Sequence, residues 1–207
     1  MATILRLVMR TPAPRDPESR VDEADLYDLP QINLSSYRGV ILALGSDQRF
    51  LKTHQNQVEG WIRAGGRLLV NGHPVLPFLD PMPRWRKLHF HGVDDIWLSA
   101  LDDHPIWAGV ERRDLLLRTG VPGQHSFEDL LRIGVGGFYA RNYLVGIPEG
   151  GTVVTGIGPG KLAVDVSYPL GAGEVIVHAG NDLESFDYAD TSAAGMRERI
   201  YKHLEQS

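Results

Sequence analysis

Apolar and polar positions follow several different rhythms along this chain. Val40-Ile41-Leu42-Ala43-Leu44 is an unbroken apolar run, the pattern of a strand buried on both faces. It stops at Gly45-Ser46-Asp47. Beyond that, Leu51, His54/Gln55, Val58, Trp61 and Ile62 recur at a spacing that predicts one packing face of a helix over about residues 50–63. Ala64-Gly65-Gly66 ends the helix, glycine being the residue that accepts a left-handed cap. A second buried-strand run, Arg67-Leu68-Leu69-Val70, follows and halts at Asn71-Gly72-His73-Pro74. Strand, helix and strand with short connections make a βαβ unit, which predicts a parallel sheet with strands at about 39–44 and 67–70.

Elsewhere the rhythm changes. Residues 3–9 form a short β-prone run stopped by the prolines of TPAPRDP. Residues 15–30 carry six acids against Arg15 and Arg20, which reads as a solvated loop or exposed helix face. The stretch 76–100 is rich in Pro and Trp and reads as irregular, and 111–150 gives no secure pattern. From 150 onward GTVVTGIG, KLAVDVSYPL and GEVIVHAG are strand-like runs between glycine turns, predicting an added antiparallel segment in the C-terminal half. Met196, Ile200 and Leu204 then recur at every fourth position, the signature of a terminal amphipathic helix. No repeat or low-complexity linker interrupts the chain, so the reading is one α/β domain over residues 1–207.

Composition narrows the function classes. With 43% apolar residues among 207 there is material for a core, and the composition is not that of a disordered chain. Against 21 Lys+Arg stand 26 Asp+Glu, a net charge of −5 that offers nucleic acid no general attraction. No apolar run approaches the ~20 residues of a membrane span, and Arg6 and Arg10 interrupt the apolar N-terminal stretch where a signal peptide needs continuity. The expectation is a cytoplasmic protein with no membrane and no nucleic-acid partner. Cysteine is absent, which removes thiolate metal sites and cysteine nucleophiles together.

Two glycine-rich segments fail as phosphate loops. Gly156-Ile157-Gly158-Pro159-Gly160-Lys161 lacks the first glycine of a Walker A loop and has Leu162 where the hydroxyl belongs. Gly134-Val135-Gly136-Gly137 meets Tyr139 where the dinucleotide fingerprint needs its last glycine. The turn Asn71-Gly72-His73-Pro74 is more informative, because it leaves a buried parallel strand at the end where open α/β folds bind ligands. His73 is a candidate ligand or general acid/base there, with Asn71 and Gly72 as binding positions. His178, with Asn181 and Asp182 shortly after it, follows the strand Glu174–Val177 and would share that crevice if the strand is parallel. A bland reading stands beside it: a histidine packed at a strand end, with Asn181-Asp182 as an Asx turn or helix cap. Asp47, at the end of the preceding strand, is a further binding candidate. His89-Phe90-His91 would put two imidazoles on one side of a strand, near Asp94 and Asp95, a weak metal-ligand pattern. Arg84-Trp85-Arg86-Lys87 pairs a basic cluster with an aromatic ring that could stack on or bind an anion.

The order of these pieces resembles the class I glutamine amidotransferase-like superfamily, in particular its ThuA-like and related uncharacterised branches. The likeness rests on SYRGVILALG, WIRAGGRLLVNGH, DDHPIWAGV and VDVSYPLGAGEVIVHAGNDLESF, about half the chain with the order intact. It implies a flavodoxin-like three-layer sandwich with a mostly parallel sheet. That superfamily carries a cysteine at the elbow after its third strand and a His-x-Glu pair near its end. Here the elbow reads Asn71-Gly72-His73-Pro74, His178 stands near the family histidine, and Gly180 takes the place of the glutamate. The resemblance therefore implies the fold without thiol-dependent glutamine hydrolysis. Two functions follow as expectations. One is a domain without glutaminase activity that binds a small molecule or protein partner, with a homo-oligomer as one form of assembly. The other is a hydrolase or isomerase of different chemistry, metal-assisted or acting on a sugar-like substrate, using His73, His178 and Asp182. The cofactor stays unassigned.

Overall fold

The computed structural model describes residues 2–116 and 138–206. The apolar runs become strands in the expected places: β1 (Ile4–Val8), β3 (Gly39–Leu42) and β4 (Arg67–Asn71). The shortened runs after residue 150 become β8 (Thr152–Ile157), β9 (Leu162–Leu170) and β10 (Gly173–His178). Together with β2 (Val21–Asp25) and β6 (Leu98–Ala100) they form one eight-stranded sheet, ordered β2-β1-β3-β4-β10-β9-β8-β6. The first five strands in that order pair parallel, and β9, β8 and β6 continue it antiparallel. A separate antiparallel ribbon joins β5 (Arg84–Lys87) to β7 (Asn142–Val145).

Strand alternation sends successive side chains to opposite faces, and both faces are buried. Ile4, Ile41, Leu69 and Ile176 point to one side and meet Met196, Ile200 and Leu204 of the terminal helix α3 (Met196–Leu204). Leu5, Val40, Leu42, Leu68, Val70 and Val175 point to the other and meet Leu51, Val58 and Ile62. Each of those three side chains, taken from water, adds about 1.5–3 kcal/mol of attachment. The helix carrying them is broken once, a departure from the single element expected: α1 (Gln48–Thr53) and α2 (Gln55–Arg63) meet at His54, whose φ is −109° and ψ 17°. The apolar face survives the break because its positions still fall on the sheet side.

Three local expectations are corrected. The acidic stretch is no solvated loop at its centre: Val21–Asp25 is the edge strand β2, made tolerable by pairing Asp22 with Arg15 and Glu23 with Arg6 and Arg10. The Pro- and Trp-rich segment holds β5 and β6. The strand expected through His89–His91 is a loop between β5 and a 3-10 turn at Val93–Ile96, so the two imidazoles are not aligned by a pleat, and both are exposed. The Gly134–Gly137 segment lies outside the described residues. Among the described residues no helix is long and apolar enough to cross a membrane.

The junction of β4, α2 and β10 leaves no room for side chains. A Cβ on Gly173 would stand 2.1 Å from the Ile62 carbonyl oxygen and 2.2 Å from that of Gly66, both backbone atoms. Gly60, inside α2, has nothing within 4 Å of the equivalent point. Gly173→Ala is therefore expected to destabilise by at least about 3 kcal/mol, the upper range of overpacking. Gly60→Ala should stabilise by about 0.5–1 kcal/mol through the loss of glycine's backbone entropy. Urea denaturation of both variants checks the pair.

Candidate binding site

The parallel strands end in two left-handed glycines, Gly45 after β3 (φ 88°) and Gly72 after β4 (φ 99°). A conformation of that kind suits only glycine at such turns, and it folds both chain exits back over the sheet. Gly72 N–H donates to the His178 carbonyl at 3.1 Å, fixing the β4 exit to β10. Between the exits lies a cavity of about 230 Å³ with Leu42, Leu51, Val70 and Phe78 as apolar wall and Ser46, Gln48, Asn71 and His73 as polar lining. Gln48 braces it. Its Nε2 donates to the His73 carbonyl at 2.6 Å and its Oε1 accepts from Leu76 N–H at 2.7 Å. Asp47 caps α1 by accepting from Arg49 and Phe50 N–H at 2.9 and 3.1 Å, and accepts from the Tyr27 hydroxyl at 3.2 Å. His73 itself is exposed, its ring 6.4 Å from that of Trp85. Partial desolvation, then the charge of Arg141, holds its pKa below the ordinary imidazole value.

Beside the cavity, Arg6 of β1 gathers three carboxylates. It contacts Glu23 at 3.0 Å, Asp182 at 3.1 Å and Glu184 at 3.2 Å. Burial opposes the guanidinium charge, but Glu184, Asp182 and Glu23 outweigh it and push its pKa up. The other oxygens are also used: Asp182 accepts from Leu44 N–H at 2.7 Å, and Glu184 accepts from Asn71 Nδ2 at 3.1 Å. Asn71 Oδ1 accepts from Leu183 N–H at 3.0 Å. Burial holds the Glu184 carboxyl above its usual range despite Arg6. Asp182 is thus a strut between Arg6 and the β3 exit. A larger groove of about 380 Å³ runs between loop 13–19 and α3, and it is lined by Arg6, Glu23, Asp182 and Glu184 of this cluster, already paired with one another.

His178 is fully buried. Its Nδ1 lies 2.6 Å from Asp165 Oδ1 on β9, opposite it in register. The carboxylate accepts, so the hydrogen-bond network assigns the proton to Nδ1. Asp165 Oδ2 accepts from the Tyr139 hydroxyl at 2.9 Å, which in turn accepts from Trp107 Nε1 at 3.0 Å. Burial and the neighbouring Asp165 push the Tyr139 phenol well above its ordinary pKa. The remaining nitrogen, Nε2, is buried without a hydrogen-bond partner among the described residues. The Tyr139 ring packs 4.6 Å from the imidazole, and a Cβ on Gly180 would come within 2.5 Å of Nε2. Asn181 donates to the Phe138 carbonyl at 3.1 Å, holding the covering segment down.

Of the residues singled out from sequence, Asn71 and His73 line the cavity and Gly72 shapes it. Asp47 caps the helix that forms its side. His178, Asn181 and Asp182 are committed to internal contacts, and the three candidate catalytic side chains do not open onto one cavity. His89 and His91 take no part in the cavity; the His91 ring lies 4.0 Å from Asp95. Sequence reading missed Arg6, Gln48, Asp165 and Glu184. Their partners lie 13 to 178 positions away, so no local spacing announces them. Among the described residues the one group with metal-ligand convergence is His104, Glu174 and His203, at the opposite end of the sheet.

No family model and no curated protein matches the sequence. The fold is similar to two solved structures, cytoplasmic protein STM3548 from Salmonella typhimurium and cytoplasmic protein STM1381 from Salmonella typhimurium LT2. The first aligns with TM-score 0.55 and 10% identity over 97% of this chain and 98% of that one. The second aligns with TM-score 0.54 and 8% identity over 99% and 98%. These likenesses show fold alone. An exo-beta-1,4-mannosidase, Op5Man5 from Opitutaceae bacterium strain TAV5, aligns at TM-score 0.46 and 13% identity, over 99% of this chain and 35% of that one.

The Arg6 cluster has a pH signature. Burial raises the Glu23 carboxyl, but Ala13 N–H, Arg10 and Arg6 outweigh it and hold its pKa below the ordinary 4.5. A depressed carboxylate stabilises the fold above its unfolded pKa and loses that contribution as pH falls through the folded value. Glu23→Gln is therefore expected to be less stable than the parent at pH 7, with the gap closing in acid below about pH 4.5. Urea midpoints across that range check it; a gap that widens in acid contradicts the assignment.

Proposed function

We propose that the protein is a small-molecule-binding α/β domain of the class I glutamine amidotransferase-like kind, without glutaminase activity, acting in the cytoplasm. The observation that carries this reading is the contrast at the carboxyl end of the sheet. A cavity of about 230 Å³ with an apolar wall and four polar lining residues is open, while His178 is sealed inside and Asp182 is paired with Arg6. Ligand pockets combine that kind of wall with a few convergent polar groups. The strand order β2-β1-β3-β4-β10, with apolar cores on both faces, supports flavodoxin-like layering. Likeness of fold to the two Salmonella cytoplasmic proteins supports the location. The absence of cysteine supports the lack of thioester chemistry.

A second reading, hydrolysis or isomerisation at His178, is favoured by one observation. Asp165 holds His178 with Nδ1 protonated and Nε2 unpartnered, the orientation an acid/base histidine uses. Its complete burial opposes it.

Screening polar metabolites by ligand-observed NMR, with amide shift mapping, separates the two. The binding reading expects hits that shift residues 44–48 and 71–76, weakened at least about tenfold, or about 1.4 kcal/mol, by Gln48→Ala and His73→Ala. It also expects no ammonia released from glutamine. Turnover of an ester or amide that His178→Ala abolishes overturns it, as does a screen whose hits map away from the cavity.

A further inference from the structure

We propose that His104, Glu174 and His203 form a zinc-type divalent metal site at the amino end of the sheet. The three residues come from separate elements. His104 caps the 3-10 turn Pro105–Trp107, Glu174 begins β10, and His203 sits in the last turn of α3. Their ligand atoms lie within 4.8 Å of one another. His203 Nε2 is 2.7 Å from Glu174 Oε2, and His104 Nε2 is 3.3 Å from Glu174 Oε1. The two ring centroids are 4.7 Å apart, the planes inclined at 58°. Two imidazoles and a carboxylate are the donor set of a three-ligand zinc centre that keeps its fourth position for water.

Shielding and access both suit an ion. The histidine side chains are 7% and 6% exposed and the carboxylate 20%. His104 also lines an open groove of about 540 Å³ whose lining includes the exposed Asp102 and Asp103, charges of the sign a cation prefers.

The metal-free chain fills the position with hydrogen bonds. Each Nε2 faces a Glu174 oxygen, the Ser167 hydroxyl donates to Oε1, and Arg67 lies 3.6 Å from Oε2. Loading the ion moves the histidine protons to Nδ1. On His104 this costs a long 3.3 Å contact from Ile106 N–H. On His203 it turns away Arg67, which keeps the His203 carbonyl at 2.8 Å and Gln206 Oε1 at 3.2 Å. Arg67 is thus the cation the ion displaces from the carboxylate, and the ion would tie α3 to the start of β10.

The test is zinc uptake by the untagged full chain, measured by equilibrium dialysis with elemental analysis and by the melting temperature. One equivalent bound per chain, with a rise in melting temperature, is expected. Glu174→Gln and His203→Ala should each weaken uptake more than about 100-fold, and the His89→Ala/His91→Ala double variant should leave it unchanged. Should a variant fail to fold, cobalt titration of the parent decides, with the ligand-field absorption of a four-coordinate N/O site expected. Absence of saturable uptake overturns the proposal. So does a cobalt spectrum of the hexaaqua ion, or uptake that the double variant abolishes.

Discussion

The guanidinium of Arg6 holds the carboxyl end of this sheet together. A cation on a strand face next to an apolar core is stable only when carboxylates surround it. The three that do so come from β2 and from the segment after β10. Through their other oxygens they reach the backbone of Leu44 and the amide of Asn71. Five chain segments that end beside one another are thereby fixed to one charge. The cavity next to them inherits its shape from this, because its two rims are the chain exits at Leu44 and Asn71.

The same economy explains why the candidate chemistry is unequal across the site. Asp182 and His178 come from one short stretch, yet each is committed to an internal partner, Asp182 to the half-buried Arg6 and His178 to the fully buried Asp165. A buried carboxylate such as Asp165 needs donors on both oxygens, and His178 and Tyr139 supply them. What faces solvent is His73 on its glycine-shaped exit, with Gln48 bracing the loop behind it. Binding residues and scaffold residues are in this way separated by only two positions, Asn71 and His73.

The parts of this arrangement legible in the sequence were those written in local periodicity. Val40–Leu44 and Arg67–Val70 are unbroken because both faces of their strands are covered, and Met196, Ile200 and Leu204 repeat because one face of α3 is. The edge strand β2 was not legible: VDEAD carries acids whose neutralising arginines lie at positions 6, 10 and 15, information that the segment itself does not contain. The elbow at Asn71–Pro74 was readable from its place after a buried strand. The partner of His178 was not, since Asp165 becomes its neighbour only when β9 turns back antiparallel to β10. The two histidines at 89 and 91 show the converse: a suggestive spacing has no geometric meaning where no strand forms.

His73 stands open at the crevice while His178 is sealed beneath it. Histidine acylation by diethyl pyrocarbonate, followed residue by residue with mass spectrometry on the native protein, tests this directly. Prompt modification of His73 is expected, and none of His178 until the chain is unfolded by denaturant. Modification of His178 in the native state at a rate comparable to that of His73 would contradict it and turn attention to Nε2 as a working base.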